Sequence, residues 1–138
     1  MEDCIFCKIV KGEIPSEKIY EDNSTLAFLA LHPDNVGHVL VISKSHSDNL
    51  YGIADEELCR LILSVKKVAL AVKHGMDADG INLIANNEEA AGQMIFHLHF
   101  HVIPRFVNDG LNYAPSPRHY KEGEMKEVAE KIKKEIEK

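Results

Sequence analysis

No run of apolar residues in this 138-residue sequence approaches the roughly 18 needed to cross a bilayer, so no membrane partner is expected. The first residues, Met1-Glu2-Asp3, are acidic where a secretory signal is basic, which points to a soluble, cytoplasmic protein. Basic residues are also scarce: 16 Lys and Arg stand against 22 Asp and Glu, a formal net charge of −6. Grip on a phosphate backbone leans on Lys and Arg, so nucleic acid is not an expected partner either. A small anion held by backbone amides and imidazoles remains compatible with this balance. Internal repeats and low-complexity stretches are absent, and 45% hydrophobic residues are enough for one compact domain with its own core.

What is present is a regular change of hydrophobic period. Residues 19–21 and 25–29 read as two short strands around the polar turn Asp22-Asn23-Ser24, and residues 38–42 as a buried central strand. From 55 to 74, Leu58, Leu61, Ile62, Val65, Val68, Ala69 and Val72 make one helical stripe. Asp55, Glu56 and Glu57 sit at its positive end and Gly75 just past its stop. Residues 81–85 return to strand, 86–93 are a polar loop, and 107–121 are loop. The tail resumes helical spacing at Met125, Val128, Ala129, Ile132 and Ile136. Its narrow apolar face belongs on the domain's own sheet or on a second subunit. The expected fold is α+β: an antiparallel meander sheet with one long packed helix and a C-terminal helix. Residues 1–106 form the main domain, and 107–138 form a loop and helix packed on it or on its dimer partner.

The strongest chemical signal is His97-Leu98-His99-Phe100-His101-Val102-Ile103-Pro104. As a strand, this alternation puts three imidazoles on one face, adjacent ones about 6.6 Å apart and the outer two about 13 Å apart. Zinc holds an imidazole nitrogen at about 2.0 to 2.1 Å, so one ion takes at most two of them. A merely polar strand face is the plain alternative, but Lys, Thr or Glu would serve it equally well. Imidazole alone titrates near neutrality, binds metal and attacks electrophiles. A catalytic zinc on two of the three is a further alternative. A second constellation is Cys4-x-x-Cys7, which in a cytosolic protein reads as metal or redox chemistry before a disulfide. Two thiolates would need two more ligands; packing of two reduced cysteines, or a redox pair, stays open.

His-apolar-His-apolar-His followed by two apolar residues resembles the signature of the histidine-triad family of nucleotide-binding hydrolases and transferases. The resemblance extends upstream through Ile5-Phe6-Cys7-Lys8-Ile9, Glu13-Ile14-Pro15, Gly37-His38-Val39-Leu40-Val41-Ile42 and Gly92-Gln93. It is most similar to the branch of purine-nucleoside phosphoramidases, which are small homodimers. The resemblance implies that His99 is a nucleophile on the α-phosphorus, forming a covalent nucleotidyl-histidine, with His101 and His38 beside the same phosphate. It implies substrate contacts at Asn86, Gln93, Phe6, Ile9, Phe28 and Leu31, and a purine nucleoside monophosphate as product. Bacterial members with a CxxC imply a structural zinc held by Cys4, Cys7, His46 and His97. Two other activities remain open: cleavage of dinucleoside polyphosphates, and nucleotide binding with negligible turnover. Two positions depart from the family pattern. Ala30 stands where an Asp commonly holds the ribose and cannot accept a hydrogen bond, and Met94 stands where a hydroxyl often faces the leaving group.

Overall fold

The computed structural model describes residues 3–138, so Met1 and Glu2 of the acidic start lie outside it. Five strands, β1 (Lys18–Glu21), β2 (Thr25–Leu29), β3 (Val39–Ser43), β4 (Gly80–Ile84) and β5 (His99–Arg105), form one sheet in the order β1-β2-β3-β5-β4. Every neighbouring pair is antiparallel. The first three strands follow one another as a meander. The long helix α2 (Asp55–Gly75) then carries the chain across the sheet to β4, and β5 enters the gap between β3 and β4. Two more helices, α1 (Ile5–Val10) and α3 (Glu124–Ile136), lie at the ends. Among the described residues, no helix is long and apolar enough to cross a membrane.

Period-two alternation splits the sheet into two faces with different tasks. Ala27, Val39, Val41 and Val102 turn to one side, where Leu61, Val65, Val68 and Val72 of α2 pack against them. Three of these helical residues follow Leu61 at intervals of four, three and four, which keeps them on one stripe. Leu58 and Ala69 flank it, while Ile62, assigned to the stripe from sequence, is 43% exposed because it lies at the stripe's margin. The helix also runs through Gly75; the left-handed residue that ends it is Asp77, with φ 51°.

The other face carries Leu26, Phe28 and Ile42, covered by Phe6 and Ile9 of α1. The register aligns Ile42 with His99 and Leu40 with His101, so both imidazoles stand on this second face, His99 in contact with Phe6 of α1. The single histidine strand expected from sequence is corrected at its start: β5 begins at His99, and His97 lies in a bend before it. The cause is competition for hydrogen bonds. The Leu98 amide donates to the Ser47 carbonyl at 2.7 Å, and the His97 ring takes the Ser43 carbonyl that a continued ladder would need.

The turn into β3 contains Gly37 at φ +100°, a conformation disfavoured for side-chain-bearing residues. A Cβ there would sit 2.8 Å from Met76 Cγ at the end of α2. Gly37→Ala should therefore lower stability by about 1 to 3 kcal/mol. Adding Met76→Ala should restore only part of it, because the dihedral strain remains; urea unfolding of the two variants measures both contributions. None of the α3 residues is buried, and Met125, Ile132 and Ile136 are 63%, 57% and 78% exposed.

Candidate active site and metal centre

The hydrogen-bond partners of the five clustered histidines specify which ring nitrogen of each carries the proton. His99 Nδ1 lies 2.7 Å from the His97 carbonyl, which can only accept, so Nδ1 is the donor and Nε2 keeps its lone pair. His38 Nδ1 accepts from the backbone amide of Asp34 at 3.0 Å, which puts its own proton on Nε2. That nitrogen is 3.0 Å from His101 Nδ1 and donates to it, leaving the His101 proton on Nε2. A bare nitrogen on His99 and an N–H on His101 thus stand side by side, their ring centroids 5.0 Å apart. Among the described residues neither Nε2 has a protein partner, and no buried side-chain nitrogen lacks one, so both reach solvent. Phe6 meets His99 edge-on at 5.2 Å and closes its inner side.

Burial pushes His38, His97, His99 and His101 below the ordinary imidazole pKa. For His101, at about 4, burial is the largest cause, reinforced by His99 and His38. All four are neutral at neutral pH, which the tautomer chain requires. Well above pH 6.5 neither the folded nor the unfolded chain protonates these rings, so they add no pH dependence there. As pH falls from 6.5 towards about 4, the unfolded chain takes up protons that the folded one refuses, and stability should drop. A urea midpoint unchanged between pH 7.5 and 4.5 would contradict this.

The second cluster is Cys4, Cys7, His46 and His97, whose ligand atoms all lie within 4.8 Å of one another. Cys4 caps α1, its sulfur accepting from the Cys7 amide at 3.4 Å. His97 Nδ1 is 3.4 Å from Cys4 Sγ and 3.5 Å from Cys7 Sγ, and His46 Nδ1 is 3.4 Å from Cys7 Sγ. A tetrahedral zinc with Zn–S of about 2.3 Å and Zn–N of about 2.0 Å separates its S and N ligands by about 3.5 Å, so the cage already has the size of the ion. The rings are oriented for it as well. His97 Nε2 donates to the Ser43 carbonyl at 2.7 Å and His46 Nε2 to Asp48 Oδ1 at 2.8 Å, so both Nδ1 lone pairs face the sulfurs. Burial and the neighbouring Cys4 raise the Cys7 pKa, a cost that a cation between the sulfurs would reverse. A cavity of about 380 Å³ opens beside Cys4, His46, Asp48 and Met94 and gives solutes a way in.

Among the remaining predicted site residues, Phe6, Ile9 and Phe28 are buried together under α1, whereas Leu31 is 87% exposed on the loop after β2. Asn86 is half-buried with one weak contact, Nδ2 to the Gly92 carbonyl at 3.5 Å. Gln93 is 2% exposed and spends its amide on the main chain: it donates to the Asp48 and Ile95 carbonyls and accepts from the Glu88 amide. Asp34, Ser43 and Asp48 were not singled out from sequence. Two of them act through main-chain groups that any residue type carries; only Asp48, two residues after His46, left a readable signal.

A family description, HIT domain, matches residues 11–108. The chain belongs to the HIT family. A crystal structure of a Streptococcus mutans UA159 protein, 43% identical, superposes with a TM-score of 0.94 over 99% of this chain and 87% of that one. A Zn-bound histidine triad family protein from Mycobacterium smegmatis is 37% identical, with a TM-score of 0.77 over 85% of each chain. Among curated HIT relatives, a Candida albicans adenosine 5'-monophosphoramidase is 42% identical over 106 residues, 74% of this chain and 70% of its own.

Proposed function

We propose that this HIT protein is a nucleotide hydrolase or transferase that works at the α-phosphorus of a purine nucleoside phosphoramidate or a related nucleotide. The observation that carries this reading is the His99 ring: its Nδ1 is tied to the His97 carbonyl and its Nε2 is bare and solvent-facing beside an N–H of His101. His99 Nε2 forms a bond to phosphorus as the bond to the leaving group breaks, giving a nucleotidyl-histidine; water then opens the P–N bond and releases the nucleoside monophosphate. The His99 Nδ1–H, held by a carbonyl, stabilises the positive ring that attack creates. His101 Nε2–H donates to a non-bridging oxygen as charge builds there, and His38 fixes the tautomer. Phe6, Ile9 and Phe28 supply an apolar wall for the nucleoside. Met94 can donate no proton to a departing amine, so nucleotides with acidic leaving groups should turn over faster than simple phosphoramidates. The curated monophosphoramidase relative supports the substrate class.

The metal site is part of the same proposal. Cys4, Cys7, His46 and His97 hold a structural zinc, a reading supported by the cage dimensions and the Zn-bound relative. With four protein ligands, the ion has no open position for substrate. It ties the N-terminal segment to the bend before β5. Rapid quenching of the enzyme with substrate, followed by intact-mass measurement, tests the mechanism. A gain of one nucleoside monophosphate on wild type, absent from His99→Ala, is expected; binding with no adduct on wild type would make the protein a nucleotide-binding module instead.

A further inference from the structure

Asp34 offers the His38 ring two groups that select opposite tautomers. Its main-chain N–H donates to Nδ1, the arrangement observed at 3.0 Å. Its carboxylate, an acceptor, would instead demand Nδ1–H. With Nδ1–H, His38 Nε2 would be bare, His101 Nδ1 would have to donate to it, and His101 would face the phosphate with a lone pair. The charge of the carboxylate draws both imidazoles upward in pKa against their burial. It is engaged elsewhere: the hydroxyl of Tyr113, 79 residues away in sequence, donates to Asp34 Oδ2 at 2.5 Å.

Tyr113 is itself held in place. The Arg105 guanidinium lies 5.1 Å from its ring centroid and grips Asp109 with two bonds, Nε to Oδ2 at 2.8 Å and Nη2 to Oδ1 at 3.0 Å. Asp109 Oδ2 also accepts from Asn35 Nδ2 at 3.0 Å, and the same Nδ2 reaches the Pro104 carbonyl at 2.9 Å. The turn before β3 is therefore clamped at two successive residues by the segment that follows β5. The Tyr113 phenol is pushed up to about 12, first by burial and then by Asp34, so it stays a donor at neutral pH.

We propose that Tyr113 is a positioning residue: by occupying the Asp34 carboxylate, it leaves His38 Nδ1 to the Asp34 amide and so keeps the His101 N–H aimed at the substrate. The catalytic part of this proposal rests on the function proposed above, while the tautomer link stands apart from it. Tyr113→Phe removes the hydroxyl and keeps the ring over Arg105. Nitrogen-15 spectra of the histidines should show Nε2–H on His38 and His101 in wild type and Nδ1–H on both in the variant. The kcat should fall about 10²-fold, close to the loss expected on removing the His101 donor outright, with KM within about twofold, the pattern of a hydrogen bond lost from the transition state rather than of lost binding. Adding Asp34→Asn to Tyr113→Phe removes the competing charge and should restore the wild-type tautomers and most of the rate, a rescue that a merely structural role for Tyr113 does not predict. Unchanged tautomers in Tyr113→Phe, with or without a loss of rate, would overturn the proposal, as would switched tautomers with an unchanged kcat. If the single variant fails to fold, the double variant must fold and show wild-type tautomers, or the proposal falls. A wild type that forms no adduct would refute the proposed function alone, because the spectra need no turnover.

Discussion

Stripping the proposed zinc from the Cys4, Cys7, His46 and His97 cage with a chelator is expected to lower stability by about 4 kcal/mol, the mass-action value for a ligand a thousandfold above its Kd. Two apolar clusters, one on each face of the sheet, remain without the ion, so the chain should stay folded, unlike a zinc finger. Reactivity should suffer more than the fold does. His97 is joined to both centres: its ring belongs to the cage, and its carbonyl holds His99 Nδ1 at 2.7 Å. When the ring is released, the carbonyl should lose its anchor and the His99 ring its fixed direction, and the proposed adduct formation should slow by at least about a hundredfold. Zinc content, urea midpoint and adduct rate measured on one sample before and after chelation test the chain of cause. Protein purified without chelator that carries less than about a tenth of an equivalent of zinc, with no stability gain on reloading, would remove the metal from the structure's account.

Replacing the proposed nucleophile should give the largest kinetic effect. His99→Ala should reduce kcat on the order of 10⁴-fold or more and abolish the adduct, as loss of a covalent nucleophile does elsewhere. His101→Ala removes one hydrogen-bond donor to the developing charge and should cost about 10²- to 10³-fold, with adduct still detectable. The ratio between the two is the informative quantity. Equal losses, both without adduct, would mean that neither ring attacks on its own; a larger loss in His101→Ala would transfer the nucleophile's role to it.

Much of the sheet and α2 was legible because local signals mark them: short apolar runs between polar turns for the strands, and a helical stripe for α2. The β1–β2 hairpin, β3, β4 and the α2 stripe appear within one or two residues of their expected bounds, since the strands are short apolar runs set off by polar turns and the helix buries one stripe. Helix α1 was not expected. Its six residues, Ile5-Phe6-Cys7-Lys8-Ile9-Val10, are apolar nearly throughout and show no period, and the Cys4 cap that starts it reads first as a metal ligand. The contact between His38 and His101, 63 residues apart, depends on the pairing of β3 with β5, which no local pattern encodes. The bend at His97 has the same origin: the groups that break the strand there, the Ser43 and Ser47 carbonyls, are main-chain atoms more than fifty residues away or nearly so. In the family resemblance the roles of the three histidines were assigned as letters in a motif; the structure separates them by which atom each has left over.

The position of β5 bears on how the protein is made. Strands β3 and β4 run parallel to each other and are joined only through β5, a strand from later in the chain, so the facing edges of both have no partner without it. On the ribosome, everything through α2 and β4 emerges before that insert does, and unpaired strand edges invite association between nascent chains. The strand that carries His99 and His101 is thus also the one that covers the β3 and β4 edges, and synthesis halted shortly before His99 should yield a product that is at once inert and prone to aggregate.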